Sequence, residues 1–384
     1  MVLAIRRGGS IRRVARRFGV SHTTVRRWAG RVLGERLDRA DFADRASGSP
    51  SPANRTPQRM ERRIVAMRRR LAERSALGEC GAAAIRRELL AAKIPGVPGV
   101  RTIGRILQRH GLLDGRRRVR RPPPPKGWYL PEVAAGKAEI DSFDTVTDLV
   151  IKGGRDVTVL NAVSLHGGLA ESWPEPRITA QIVENRLLEH WRKHGLPAYA
   201  KFDNDTVFQG GHRWPDTYGR VTRTCLRLGV IPVFAPPRET GFQAEIEAFN
   251  GRWQKSVWQR FTHRDMAGLR RQSRRFIDAH RTRAAERIAA APERRAFPEG
   301  FTGKPGKALA GTVVFLRRTD SAGRADCLGH RWKVSRNWTH RLVRIEVDLT
   351  AGKVSMYSLR RREPASQRLL KTFRYQVPQH KFTE

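Results

Sequence analysis

The stretch AEIDSFDT, residues 138–145, decides how the chain is read. Apolar residues gather over 138–143 in a strand-like run, and two carboxylates ride on it. Working outward, further strand-like runs fall at 157–165, 198–202 and 230–234. Helical patterns separate them at 178–194, at roughly 216–228 and at 241–261. A β-β-α-β-α-β-α order predicts a mixed sheet flanked by helices.

Three carboxylates stand where such a fold concentrates chemistry. Asp141 lies in the first strand. Asp203 leaves a strand in YAKFDND (199–205), and Glu245 and Glu247 lie on the helix of PPRETGFQAEIEAFNGRW (236–253). Any one Asp alone reads as a turn cap or a surface ion pair. Converging acids repel one another unless a cation lies between them, and hard oxygen ligands suit Mg²⁺. Two ions ~3.5–4 Å apart would activate an attacking oxygen and stabilise a leaving one. Asp144 is three residues beyond Asp141, so on a regular strand the two point to opposite faces and both cannot serve one site. On the helix, Phe242, Ile246, Phe249, Trp253 and Val257 form the buried stripe. Glu245 and Glu247 flank it about 200° apart, and periodicity leaves the choice open. Asn250, one turn beyond Glu247, would orient a metal-bound water, contact DNA, or simply face solvent; Asn204 reads as a turn residue.

These motifs resemble the Asp-Asp-Glu transposases and retroviral-type integrases, in particular bacterial insertion-sequence transposases. The first Asp of that pattern falls on Asp141 in EIDSFD, the second on Asp203 in KFDNDTVFQG, and the Glu on Glu247 in IEAFNG. Asp205 stands where the family commonly has Gly. The 43 residues between Asp203 and Glu247 exceed the usual gap, with the surplus expected in QGGHRWPDTYG (209–219). A longer surface loop costs little entropy. The resemblance implies an RNase H-like α/β catalytic core over 127–296. It also implies Mg²⁺ (Mn²⁺ substituting) in two sites on Asp141, Asp203 and Glu247, and DNA cleavage and joining by transesterification in a homo-multimer on DNA.

Charge points the same way. Of 384 residues, 76 are Lys or Arg and 36 Asp or Glu, a net +40. Such a field calls for a polyanion, and double-stranded DNA, as element ends and target, is the expected partner. Residues 1–32 read as a helix-turn-helix: Ser10 caps a helix with Val14, Ala15 and Phe18 inward, Gly19 turns the chain, and Ser21 caps a second helix. Its apolar stripe is Val25, Trp28, Ala29 and Val32; His22, Thr23, Arg26, Arg27 and Arg31 remain for DNA. A linker at 33–59 leads to a second such unit at 60–114. There Ile103, Ile106 and Leu107 face inward, and Arg101, Thr102, Arg105 and Arg109 outward. A helical hairpin with a solvated basic face is the plainer alternative for either unit. The Arg/Pro-rich segment 115–126 adds Arg116, Arg117 and Arg118 as DNA contacts.

Residues 263–292 are helical and Arg-rich. After a break at 297–307, alternating apolar residues at 308–384 predict a small β-barrel binding DNA or a neighbouring subunit. Cys80, Cys225 and Cys327 are too few and scattered for a disulfide framework. No run approaches the ~18 apolar residues of a membrane span, and residues 1–20 lack a signal-peptide core. A cytoplasmic, nucleoid-associated DNA strand-transferase is therefore expected. A catalytically silent DNA-binding regulator and an RNase H-like nuclease are the alternatives. The silent regulator leaves the acids unexplained.

Overall fold

The computed structural model describes residues 1–43, 55–113, 126–211, 215–239, 241–302, 309–361 and 363–377. Two compact units result, Met1–Gln58 and Arg59–Glu384.

The first unit holds α1 (Val2–Arg6), α2 (Ile11–Phe18) and α3 (His22–Arg31). The hydroxyls of Ser10 and Ser21 accept from Arg13 N and Thr24 N, so both caps form where the sequence places them. Gly19 ends α2 at φ 62°, a conformation that favours glycine. Val14, Ala15 and Val25 form the core, with Ile5 and Ile11 of the neighbouring turns against it. Two details differ from expectation. Helix α1 has no counterpart in the sequence pattern, because five residues are too short for a periodic signal. Phe18 is 46% exposed, with Arg17 over its ring, instead of lying inward.

The second unit opens with α4 (Gln58–Arg74), α5 (Ala82–Ala91) and α6 (Val100–Arg109). They close on Ile64, Ile85, Leu89, Ile103, Ile106 and Leu107, each almost completely buried. A short α7 (Pro131–Ala134) then leads into β1 (Ile140–Ile151), β2 (Arg155–Ser164) and β3 (Ala170–Glu175), an antiparallel meander. Beyond it come α8 (Ala180–His194), β4 (Tyr199–Phe202), α9 (Thr206–Gln209), α10 (Arg220–Arg227) and β5 (Ile231–Phe234). Strands β1, β4 and β5 run parallel to one another. Helix α11 (Ala244–Trp253) passes through a π-helical turn (Gln254–Trp258) before α12 (Met266–Ala289).

The sheet is mixed, with helices on both faces. Phe143, Leu160, Phe202 and Phe234 look toward Val183, Leu187, Trp191 and Cys225 of α8 and α10. Val146, Val157, Val159 and Val163 look toward Ile246, Phe249, Trp253 and Phe276 of α11 and α12.

The tail corrects an expectation. Strands β6 (Thr312–Arg318), β9 (Leu342–Asp348), β10 (Lys353–Ser358) and β11 (Leu369–Arg374) do not close into a separate barrel. They extend the core sheet in the order β11-β10-β9-β6-β5-β4-β1-β2-β3. The short β7 (Arg324–Cys327) and β8 (His330–Lys333) pair apart as a hairpin. The joint is β5 with β6, parallel, pairing Val233 with Val314 and Phe234 with Phe315. The rings of Phe234 and Phe315 stack there at 5.1 Å. Both partners would otherwise present unpaired backbone edges, and joining satisfies them together.

A candidate acidic active site

Side-chain alternation along β1 sends its two aspartates to opposite faces. Asp141 points toward α8, next to Phe143. It is fully buried, and its Oδ2 accepts from Trp191 Nε1 at 3.1 Å and Arg294 Nη1 at 3.1 Å. Arg294 Nη2 donates to the other oxygen, and His190 Nε2 stands 3.5 Å away. Burial alone would raise this carboxyl's pKa, but the Arg294 guanidinium and His190 hold it far below the carboxylate range. The expectation that Asp141 meets Asp203 and Glu247 is therefore corrected. Its oxygens face an arginine and an indole within the hydrophobic core.

Asp144 takes the opposite face, where α11 lies. It is half-buried, and its pKa is pushed up to about 6 by burial, by the charge of Asp203 and by the charge of Glu247. Thr145 N donates to its Oδ1 at 2.9 Å and Asn250 Nδ2 to its Oδ2 at 2.7 Å. Asn250 is itself held by Asn161 Nδ2, which donates to its Oδ1 at 2.8 Å from the strand β2 position paired with Asp144. The amide of Asn250 is thereby oriented with its NH₂ toward the carboxylate.

Asp203 follows β4 directly. Burial raises its pKa and the charge of Asp205 adds to the rise, while Asp205 N donates to Asp203 Oδ1 at 3.0 Å. Asp205 is explained by α9, which it caps through Val207 N at 2.9 Å. Asn204 clips this turn to its neighbours: its amide donates to Ala235 O at 2.6 Å and accepts from Arg317 Nη2 at 2.9 Å. Arg317, on β6, is a largely buried arginine that also donates to Asp326 O. The tail thus braces the turn that carries Asp203.

The structure also separates Glu245 from Glu247. Lys201, fully buried, donates to Glu245, to Tyr129 Oη at 2.9 Å and to Phe242 O at 2.7 Å. Ser142 Oγ donates to Glu245 at 2.7 Å. Burial opposes the charge on Glu245, but Lys201 and Ser142 outweigh it and hold its pKa low. Glu245 is committed to this pair; exposed Glu247 instead adds its charge to Asp144. Asp203 from a loop and Glu247 from a helix thus both bear on Asp144 of the strand. Ionised carboxylates acting on one another disfavour charge, a cost that a divalent cation with oxygen ligands would offset.

A second group lies on the α8 side. Donor atoms of Glu171, His190 and His194 all lie within 4.8 Å of one another. Arg281 donates to Glu171 and, at 3.2 Å, to His194 Nε2, so a guanidinium already fills that gap.

On the helical units, His22, Thr23, Arg26 and Arg27 are exposed along α3. Arg31 is not available as expected: its side chain is 10% exposed, it donates to Ala43 O at 2.7 Å, and it lies 4.8 Å from the Trp28 ring centre. Arg101, Thr102 and Arg105 are exposed on α6, whereas Arg109 donates to Glu61 at 3.1 Å. Arg116, Arg117 and Arg118 lie outside the described residues. No helix among the described residues is long and apolar enough to cross a membrane.

No protein-family model matches the chain. Among solved structures it is similar to a chain of the simian T-cell lymphotropic virus intasome in complex with the PP2A regulatory subunit B56 gamma. Identity there is 15% and the TM-score 0.34, over 72% of this chain and 88% of that one. It is also similar to the catalytic core domain of BIV integrase at 18% identity and TM-score 0.26, over 37% of this chain and 81% of that one. Likeness at this level decides nothing, and the site stands on its own geometry.

Proposed function

We propose that the chain is a metal-dependent DNA strand-transferase of the transposase and integrase kind, with Asp144, Asp203 and Glu247 as its acidic set. The observation that carries this is the placement of Asp144 on the α11 face, where Asn250 donates to it and where burial, with the charges of Asp203 and Glu247, raises its carboxyl pKa. Three carboxylate ligands suit Mg²⁺, or Mn²⁺ in its place. When bound, such ions supply charge neutralisation for in-line displacement at a phosphodiester.

The chain's own residues position the acids. Asn250, fixed by Asn161, holds the Asp144 carboxylate in one rotamer. The Lys201–Glu245 pair fastens α11 to β4, and with it sets the helix whose Glu247 acts on Asp144. Arg317 and Asn204 fasten the Asp203 turn. Double-stranded DNA is the proposed substrate, held by basic residues of α3 and α6 in a homo-multimer, in keeping with a net charge of +40.

The test pairs the purified protein with DNA spanning the flanks of its own gene, in Mg²⁺ or Mn²⁺, and maps new 3′ ends and joined products. Discrete ends and joints are expected from the wild type, and none from Asp144→Asn or Asp203→Asn. Ends without joints would leave a nuclease. Binding without either, by a folded wild type, would leave a silent regulator.

A further inference from the structure

A cleft of about 510 Å³ lies along the flank of α11 that carries Ala248 and Arg252. Arg252 is about 200° of helix rotation from Asn250, so this flank faces away from Asp144. Leu165 and Gly168, at the β2–β3 turn, form one wall, and Lys126 and Arg287 complete the basic rim.

The charges on this rim are unbalanced. Among the described residues Arg252 has neither a hydrogen bond nor an ion pair, and Arg287 donates only to the carbonyls of Leu165 and His166. Burial, and then the charge of Arg287, both lower the pKa of Arg252. Glu245 also borders the cleft, but Lys201 neutralises it. Two neighbouring guanidiniums and an ammonium with no free carboxylate between them favour an anion. The planar donors of Arg suit phosphate oxygens. The cleft is much larger than one phosphate ion and is open to solvent on one side, which leaves space for more than a single phosphate.

We propose that this cleft binds the phosphate backbone of a DNA strand at a point separate from the carboxylate site. The inference rests on the DNA-processing function proposed above. Its test uses the wild-type full chain in EDTA, so that no chemistry intervenes. Arginines are labelled with phenylglyoxal and quantified residue by residue, for the free protein, with duplex DNA, and with inorganic phosphate. Labelling of Arg252 and Arg287 is expected to slow severalfold with DNA and to stay unchanged with inorganic phosphate. Arg252→Gln should weaken DNA binding and reduce the salt dependence of log K by about one unit of slope. DNA that protects the arginines of α3 and α6 but leaves Arg252 labelling unchanged overturns this inference alone. Equal protection by inorganic phosphate makes the cleft a free-anion site and overturns the strand assignment. Absence of any DNA binding removes the proposed function, and this inference with it.

Discussion

Two aspartates three residues apart on one strand have opposite energetics. Asp141 is held ionised by Arg294, whereas ionised Asp144 is disfavoured by burial and by the charges of Asp203 and Glu247. Asp141→Asn leaves the largely buried Arg294 without its counter-charge, and unfolding free energy should fall by about 3–5 kcal/mol. Because its folded pKa is depressed, the stability from Asp141 is present above the unfolded value of about 4 and is lost only as pH falls below it. Asp144 has the other sign. Its carboxyl ionises at about 6 in the folded chain against about 4 unfolded, so stability is lost as pH rises between the two. In metal-free buffer above pH 7, Asp144→Asn should therefore stabilise the fold by roughly 2 kcal/mol, and in Mg²⁺ it should abolish strand cleavage. Denaturant titrations at two pH values check both; destabilisation by Asp144→Asn would break the electrostatic account. Asn161→Ala should lower activity about 10- to 100-fold by freeing Asn250, with DNA affinity unchanged in a filter-binding assay.

At the scale of elements, the decisive contact is β6 against β5. A detachable barrel would be dispensable to the fold; strands that complete the sheet are not. Removing the chain after residue 302 exposes the β5 edge and uncovers Phe234, which stacks on Phe315. The truncated protein is expected to be insoluble or to lose its cooperative urea transition. A soluble truncation with the parent's transition midpoint would show the tail to be a separate body. Helix α11 is the second case, since it carries both glutamates on opposite flanks. Lys201→Met leaves Glu245 ionised without its partner, which should cost about 3–5 kcal/mol and lower activity with it. Thermal melts beside cleavage assays separate the two effects.

For the molecule as a whole, the proposed function has charge govern affinity and the acids govern chemistry. With a net +40, DNA binding is expected to weaken steeply with salt, by about 0.9 in log K per log salt for each phosphate neutralised. Asp203→Asn changes one carboxylate and no arginine, so its salt titration should overlay that of the wild type while its products vanish. A large affinity loss in that variant would mean the acids take part in binding.

Much was legible without coordinates. Apolar periodicity located β1, β2, β4, β5 and α8, hydroxyl residues marked the caps at Ser10 and Ser21, and the 3.6-residue stripe of α6 named Ile103, Ile106 and Leu107. These are local signals, set by backbone propensity and by which side of an element is apolar. The strand period likewise showed that Asp141 and Asp144 could not share a face. Which face carried Asp203 and Glu247 was a different question, because it depends on where α8 and α11 pack. The same holds for Glu245 and Glu247, two residues apart and equivalent by periodicity until Lys201 took one of them. It holds for the tail too, whose alternation fits a closed barrel and an added sheet equally. Local sequence determined the elements and their apolar faces. Partner choice among charges, and edge pairing between distant strands, were decided only by the tertiary structure, because both depend on groups brought together from more than forty residues apart.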